Sequence, residues 1–138
     1  MELDRWLIDK SALSKLGYSK DAPLWAERIS AGLVRISTIT RLEIGYSARN
    51  FPDLEKAFST PPLAQMPVEG VTPGIEELAW ETLKSLAKKG QHRAPSIPDL
   101  MVAATAQLAG LVVLHDDKDF NIISKVTGQR VEKLKVTE

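Results

Sequence analysis

The chain has no cysteine and only two histidines, His92 and His115. Without cysteine, disulfides, thiolate nucleophiles and zinc–thiolate sites are excluded. Two histidines are too few for a histidine-based metal site. The missing cysteines leave the redox compartment open. Net charge is missing as well, since 18 Lys and Arg balance 18 Asp and Glu. A neutral chain has no strong global field to draw in a polyanion, so any surface for nucleic acid has to be a local patch. Long hydrophobic runs are also missing. No window approaches the ~20 apolar residues of a bilayer span. The opening MELDRWLIDKSAL carries acids early, unlike a secretory signal. These two absences predict a cytoplasmic protein with no membrane partner. There is no G-x-S-x-G, no P-loop and no G-x-G-x-x-G, which removes the commonest serine-hydrolase and nucleotide-binding signatures.

What is present is a globular composition. The 138 residues are 43% apolar and 26% charged, which predicts one domain over 1–138 with one core. Arg5-Trp-Leu-Ile8 is a short apolar run ending at Asp9, long enough for a buried strand. Helical spacing follows from Ser11 to Leu16, with Gly17 as a stop, and again from Ala22 to Ala31, with Pro23 in the first turn and Gly32 behind. Leu33–Ile36 reads as a second strand. Thr38 is then a candidate N-cap for a helix over Ile39–Arg49 with an Ile39, Leu42 and Tyr46 stripe.

A short helix over Phe51–Ser59 ends at Thr60-Pro-Pro, since proline cannot continue the ladder. Pro67 restricts any strand over Leu63–Val68 to a sheet edge. Thr72–Lys89 is a long helix with Pro73 first and Gly90 after it, and Pro98–Ala109 a second one closed by Gly110. Leu111–Leu114 is the clearest strand. A helix over Lys118–Val126 and a weak strand over Val131–Leu134 complete the chain. Trp6 belongs to the first strand, and Trp25 and Trp80 are expected in the core. This alternation predicts an α/β domain with a mainly parallel sheet and helices on both faces. Ligands of such sheets bind beyond the carboxyl ends of the strands, where Asp9 and the run His115-Asp-Asp-Lys-Asp119 fall.

Each acid has a bland reading. Asp9 could serve only as an N-cap, and Ser11 as a cap or a metal-shell hydroxyl. Glu43 shares a helix face with Ile39 and lies beside Leu42 and Tyr46, so a fully solvated position would be hard to arrange. Gly45 in the same turn costs roughly 1 kcal/mol against alanine, which suggests a close approach to that backbone. Asp99 is the most telling. The helix behind it is apolar nearly all round, and Asp99 aligns with Val102, Ala103 and Ala106. Attraction to the helix N-terminus explains an acid in the first turn, but not one on the packed face. Ser96 is positioned to cap that helix. Asp116, Asp117 and Asp119 repel one another after a buried strand unless something positive sits among them. Lys118 neutralises only one, whereas a hard divalent cation does more. Oxygen donors without histidine or cysteine suit magnesium or manganese. His115 reads as a loop or supporting residue rather than a base.

Four segments carry a resemblance: Leu7-Ile-Asp-Lys-Ser-Ala-Leu13, Thr40-Arg-Leu-Glu-Ile-Gly-Tyr46, Ser96-Ile-Pro-Asp-Leu-Met-Val-Ala-Ala104 and Leu114-His-Asp-Asp-Lys-Asp-Phe120. In this order the chain resembles the PIN-domain ribonucleases, above all the VapC toxins of bacterial, particularly mycobacterial, toxin–antitoxin pairs. Each motif is weak alone, but together they cover residues 7–120. The resemblance implies a three-layer α/β/α fold, a homodimer, a VapB-type antitoxin partner, and magnesium- or manganese-dependent endonucleolytic cutting of RNA, of the tRNA or rRNA kind. Family acids one to four match Asp9, Glu43, Asp99 and Asp117, and a frequent fifth matches Asp119. Asp116 fills a variable position and ranks below Asp117, an order the residues alone leave open. Ser11 matches a small hydroxyl residue near the first acid.

The implied mechanism is metal-assisted phosphodiester hydrolysis, with Asp9, Asp99, Asp117 and Asp119 as metal candidates and Glu43 binding metal or orienting water. For substrate, Ser11 is one candidate, and Lys88, Lys89 and Arg93 form a basic stretch just before Asp99. Arg93 lies beyond Gly90, within loop reach of the acids, where a guanidinium can clamp a phosphate. Two rival readings exist. A receiver-type phosphoacceptor domain also gathers acids and a lysine at this edge, but it wants its acid pair after the first strand and has no job for Glu43. A catalytically dead binding module would not keep every acid of the pattern.

Overall fold

The computed structural model describes residues 3–137. Its strands are β1 (Trp6–Ile8), β2 (Val34–Ser37), β3 (Val68–Glu69), β4 (Val112–His115) and β5 (Val131–Lys133). They form one sheet in the order β3-β2-β1-β4-β5, with every neighbour parallel. The helices are α1 (Lys10–Leu13), α2 (Ala22–Ser30), α3 (Thr38–Tyr46), α4 (Phe51–Ser59), α5 (Pro73–Lys88), α6 (Ile97–Ala109) and α7 (Asp119–Thr127).

The central strands are continuous apolar runs because both of their faces are covered. Side chains alternate across a strand. Leu7 and Val113 therefore face one side, where they join Ile75 and Leu86 of α5, Leu100 and Val102 of α6, and Phe120 and Ile123 of α7. Trp6, Ile8, Val112 and Leu114 face the other and pack with Ala12 of α1 and Trp25 and Ile29 of α2. The Arg28 guanidinium lies 4.5 Å from the ring centroids of both Trp6 and Trp25. The result is the expected α/β/α layering, with β1 and β4 adjacent at its centre.

Several local expectations shift. The N-cap of α3 is Ser37, not Thr38, because the Ser37 hydroxyl is placed to accept the Thr40 N–H at 3.0 Å. The helix after Asp9 stops at Leu13, and Leu16–Tyr18 is a separate 3-10 turn. Leu63–Gln65 is likewise a 3-10 turn, and the edge strand shrinks to two residues after Pro67. Proline lacks the N–H of a ladder residue, yet its carbonyl still accepts the Ile36 N–H at 2.9 Å. Trp80 is 54% exposed and outside the core; the Lys84 ammonium sits 5.9 Å from its ring centroid. The Leu42 and Tyr46 stripe of α3 faces outward, at 63% and 92% exposure, and only Ile39 packs on the core. A Cβ on Gly45 would meet nothing nearer than Leu54 Cδ1 at 3.6 Å, an ordinary contact, so no close approach explains this glycine. Among the described residues, no helix is long and apolar enough to cross a membrane.

Candidate active site

Asp9 leaves the sheet at the carboxyl end of β1 and caps α1. Its Oδ2 accepts the Ser11 N–H at 3.0 Å and the Ser11 hydroxyl at 2.7 Å. The same hydroxyl oxygen accepts the Asp116 N–H at 2.9 Å. Ser11 thus stitches the turn after β1 to the turn after β4. Its proton points at Asp9 rather than into open solvent, so it supports the acids instead of donating to a substrate.

After β4 the backbone turns on side-chain acceptors. His115 ends the strand and is buried, so it is not a loop residue. Its Nδ1 accepts the Asp117 N–H at 3.1 Å. Burial pushes its imidazole below the usual histidine range, against the pull of Asp9 and Asp117. A neutral ring is what an accepting Nδ1 requires. The Asp117 Oδ1 then accepts the Asp119 N–H at 2.9 Å. Asp116 turns the other way and forms an ion pair with Lys15, which holds its carboxyl below the usual range.

Asp99 comes from α6, where Ser96 and Asp99 form a capping box. The Asp99 N–H donates to Ser96 Oγ and the Ser96 N–H to Asp99 Oδ2, both at 3.2 Å. The cap explains the first-turn position. Burial at 8% exposure follows from the apolar helix that carries it. Burial is also the main reason its carboxyl is pushed up to about 6, with Asp9 and Asp117 adding repulsion against the lowering by Ser96. Glu43 is half-buried on α3, and its carboxyl is likewise raised, first by burial and then by Asp9.

These residues meet in a cleft of 550 Å³ lined by Asp9, Glu43, Asp99, Asp117 and Asp119, with Ser11 and Arg93 on its walls. Carboxylate oxygens of Asp99, Asp117 and Asp119 all lie within 4.8 Å of one another. Asp9, Asp99 and Asp117 share a design. Each gives one oxygen to a backbone N–H and has no hydrogen bond from the described residues on the other. Oriented oxygen donors with crowded negative charge fit a hard divalent cation. Arg93 reaches the cleft as its position after Gly90 predicts. Lys88 ends α5, Lys89 is its C-cap, and both are exposed outside the cleft wall. Lys10 and Ser14 line the cleft and were not foreseen. Lys10 directly follows Asp9, and its ammonium donates to Ser47 Oγ at 3.3 Å. Its adjacency to the first acid was the available signal.

The strand order also separates this chain from a receiver-type domain, which orders its sheet 2-1-3-4-5. Here β1 is central and the paired acids follow β4. The PIN domain family matches residues 6–126. Ribonuclease VapC2 of Mycobacterium tuberculosis is 55% identical over 130 residues, covering 94% of this chain and 92% of its own length. Ribonuclease VapC21 of the same species is 36% identical over 132 residues, covering 93% and 92%. The crystal structure of DNA-bound VapBC from Salmonella typhimurium has the same fold, with a TM-score of 0.76 at 20% identity over 95% of this chain and 98% of that one. With the carboxylate cleft at the predicted sheet edge and a 55% identical relative over nearly the whole chain, the protein belongs to the PIN-domain family, among the VapC ribonucleases.

Proposed function

We propose that this chain is the toxin of a VapB–VapC-type pair, an endoribonuclease in which Asp9, Asp99, Asp117 and Asp119 hold magnesium or manganese. The observation that carries the reading is the convergence of Asp99, Asp117 and Asp119 oxygens within 4.8 Å, on the same cleft as Asp9 and Glu43. A divalent cation held there supplies a more acidic water and charge to offset the phosphate. The chain's own residues do the rest. Ser11, Ser96 and the Asp119 N–H each hold one acid in place through one oxygen. Glu43, with its raised carboxyl, is suited to orient the attacking water and take its proton. Arg93, on the cleft wall, clamps the substrate phosphate. Water is the nucleophile, so no covalent intermediate with a side chain forms. A VapB-type antitoxin as partner follows from the VapC kinship, and so does a homodimeric state.

The test is sequencing of RNA ends after brief expression of the chain, beside its Asp99→Asn variant. Discrete new ends with the parent and none with the variant are expected. Identical ends in both would remove the carboxylates from the chemistry.

A further inference from the structure

A second cleft lies at the same sheet edge, where Lys133 pairs with His115, the residue before Asp116. The chain leaving β5 continues beside the segment before α2, with an antiparallel bridge between Ser19 and Val136. The Lys20 N–H donates to the Lys135 carbonyl at 2.9 Å, and the Thr137 N–H to the Tyr18 carbonyl at 2.8 Å. This register places Lys20 directly opposite Lys135, on one face. Side chains alternate along an extended chain. Leu134 and Ser19 therefore turn inward and are buried, while Lys133, Lys135, Lys20 and Tyr18 turn outward and are exposed. Lys20, Lys133 and Lys135 line a cleft of 330 Å³. No carboxylate of the described residues lies within ion-pair distance of any of the three.

Like charges directly opposite across a strand pair destabilise it. A fold that sets two lysines face to face and adds a third, with Asp116 near Lys133 but already paired to Lys15, leaves cationic charge for an anion to meet. Its position names the anion. Lys133 is the register partner of His115, whose neighbours are Asp116 and Asp117. Lys15 pairs with Asp116. Tyr18 is 67% exposed at the rim, a flat ring free to stack on a base.

We infer that Lys20, Lys133 and Lys135 hold backbone phosphates of the RNA strand beyond the acidic cleft, with Tyr18 stacking a flanking base. This rests on the ribonuclease reading. The substrate strand then runs along the carboxyl edge of the sheet, and the acids address a phosphate outside the lysine hold.

Binding of a fluorescent single-stranded RNA, titrated over salt on an Asp117→Asn background that prevents cleavage, tests this. Joint Lys20→Ala, Lys133→Ala and Lys135→Ala substitution is expected to weaken binding at least ~10-fold. It should also flatten the slope of log affinity against log salt by about 2, at ~0.7 per phosphate contact. Tyr18→Ala should weaken binding about 10-fold with an unchanged slope, and Tyr18→Phe should not. Lys20→Ala alone should leave thermal stability equal or higher, because it removes a like-charge pair; lower stability would overturn the facing-lysine argument. Equal affinity and slope in parent and triple variant would overturn the lysine site while leaving the ribonuclease reading intact. A parent that binds no RNA would overturn both.

Discussion

The acidic cleft and the lysine cleft share one edge of one sheet, yet they are opposite in charge and in construction. The acidic cleft is made of half-buried or buried groups held by caps and turns. Asp9, Asp99 and Asp117 each have one oxygen fixed by a backbone N–H. The lysine cleft is made of exposed, mobile-stemmed cations on an extended chain, with only the backbone register fixed. The difference reflects what each has to do. Chemistry at a phosphorus needs donors held to within a fraction of an ångström. Gripping a backbone needs only charge at the right spacing, and flexible ammoniums supply it. A formal net charge of zero thus conceals an acidic cleft and a lysine cleft on one sheet edge.

The comparison breaks most sharply at Asp117. Expression of the chain without a partner is expected to arrest growth. Asp117→Asn should remove the arrest while the protein stays folded, through a loss of cleavage of about 100-fold or more. Equal arrest by both forms would show that the rigid cleft is not where the chemistry occurs.

A smaller effect separates the clefts by what they bind. Magnesium or manganese should raise the thermal midpoint by several degrees, since a ligand at about 100 times its Kd contributes ~2.7 kcal/mol. The gain should shrink in Asp117→Asn and survive in the triple lysine variant. The effect also depends on pH. The Asp99 carboxyl stands at about 6 in the fold, against 3.8 ordinarily. The folded state therefore holds this proton more tightly than the unfolded one. Cation-free stability from this group is full below about pH 4 and falls as pH rises through 6. Cation binding strengthens over the same interval as the carboxylate forms. Calorimetry at pH 5 and pH 7 with and without manganese measures both. A cation shift equal at the two pH values would separate Asp99 from the site.

The smallest effect is expected at Arg93, which belongs to the acidic cleft by position and to the cationic surface by function. Arg93→Ala should weaken RNA binding across sequences and lower the salt slope by ~0.7 for one phosphate contact, with manganese binding unchanged. Lys88 and Lys89, exposed at the end of α5, extend this hold only if their loss adds to that of Arg93. An unaltered slope in Arg93→Ala would return the whole stretch to an ordinary helix end, where cations complement the dipole.

Much of the acidic cleft was legible because its signals are local. Asp9 ends an apolar run, Asp99 interrupts the stripe of a helix too apolar to be exposed, and the run from Asp116 to Asp119 follows the clearest strand. Capping also reads locally, as Ser96 and Asp99 show. Glu43 was legible for a reason only partly right. Ile39 on its face packs on the core, but Leu42 and Tyr46 beside it face solvent. It lines the cleft because α3 follows β2, which lies beside β1. Trp80 misled similarly, since hydrophobic size alone does not say which face of α5 meets the sheet.

The sequence by itself determined the alternation of strands and helices, the absence of any thiol or multi-histidine chemistry, and which acids were candidates. Periodicity, caps and composition act over a few residues and need no partner. Only the tertiary structure decided that β1 and β4 are neighbours, which brings Asp9 to Asp117 across more than a hundred residues. It also decided that Ser11 holds the Asp116 backbone, and that Asp116 turns away to Lys15. The lysine cleft is wholly of this second kind. Lys20 and Lys135 sit far apart in unremarkable charged stretches. Their opposition exists only because a sheet register aligns two backbones, and hydrogen bonding between distant segments cannot be read from either one alone.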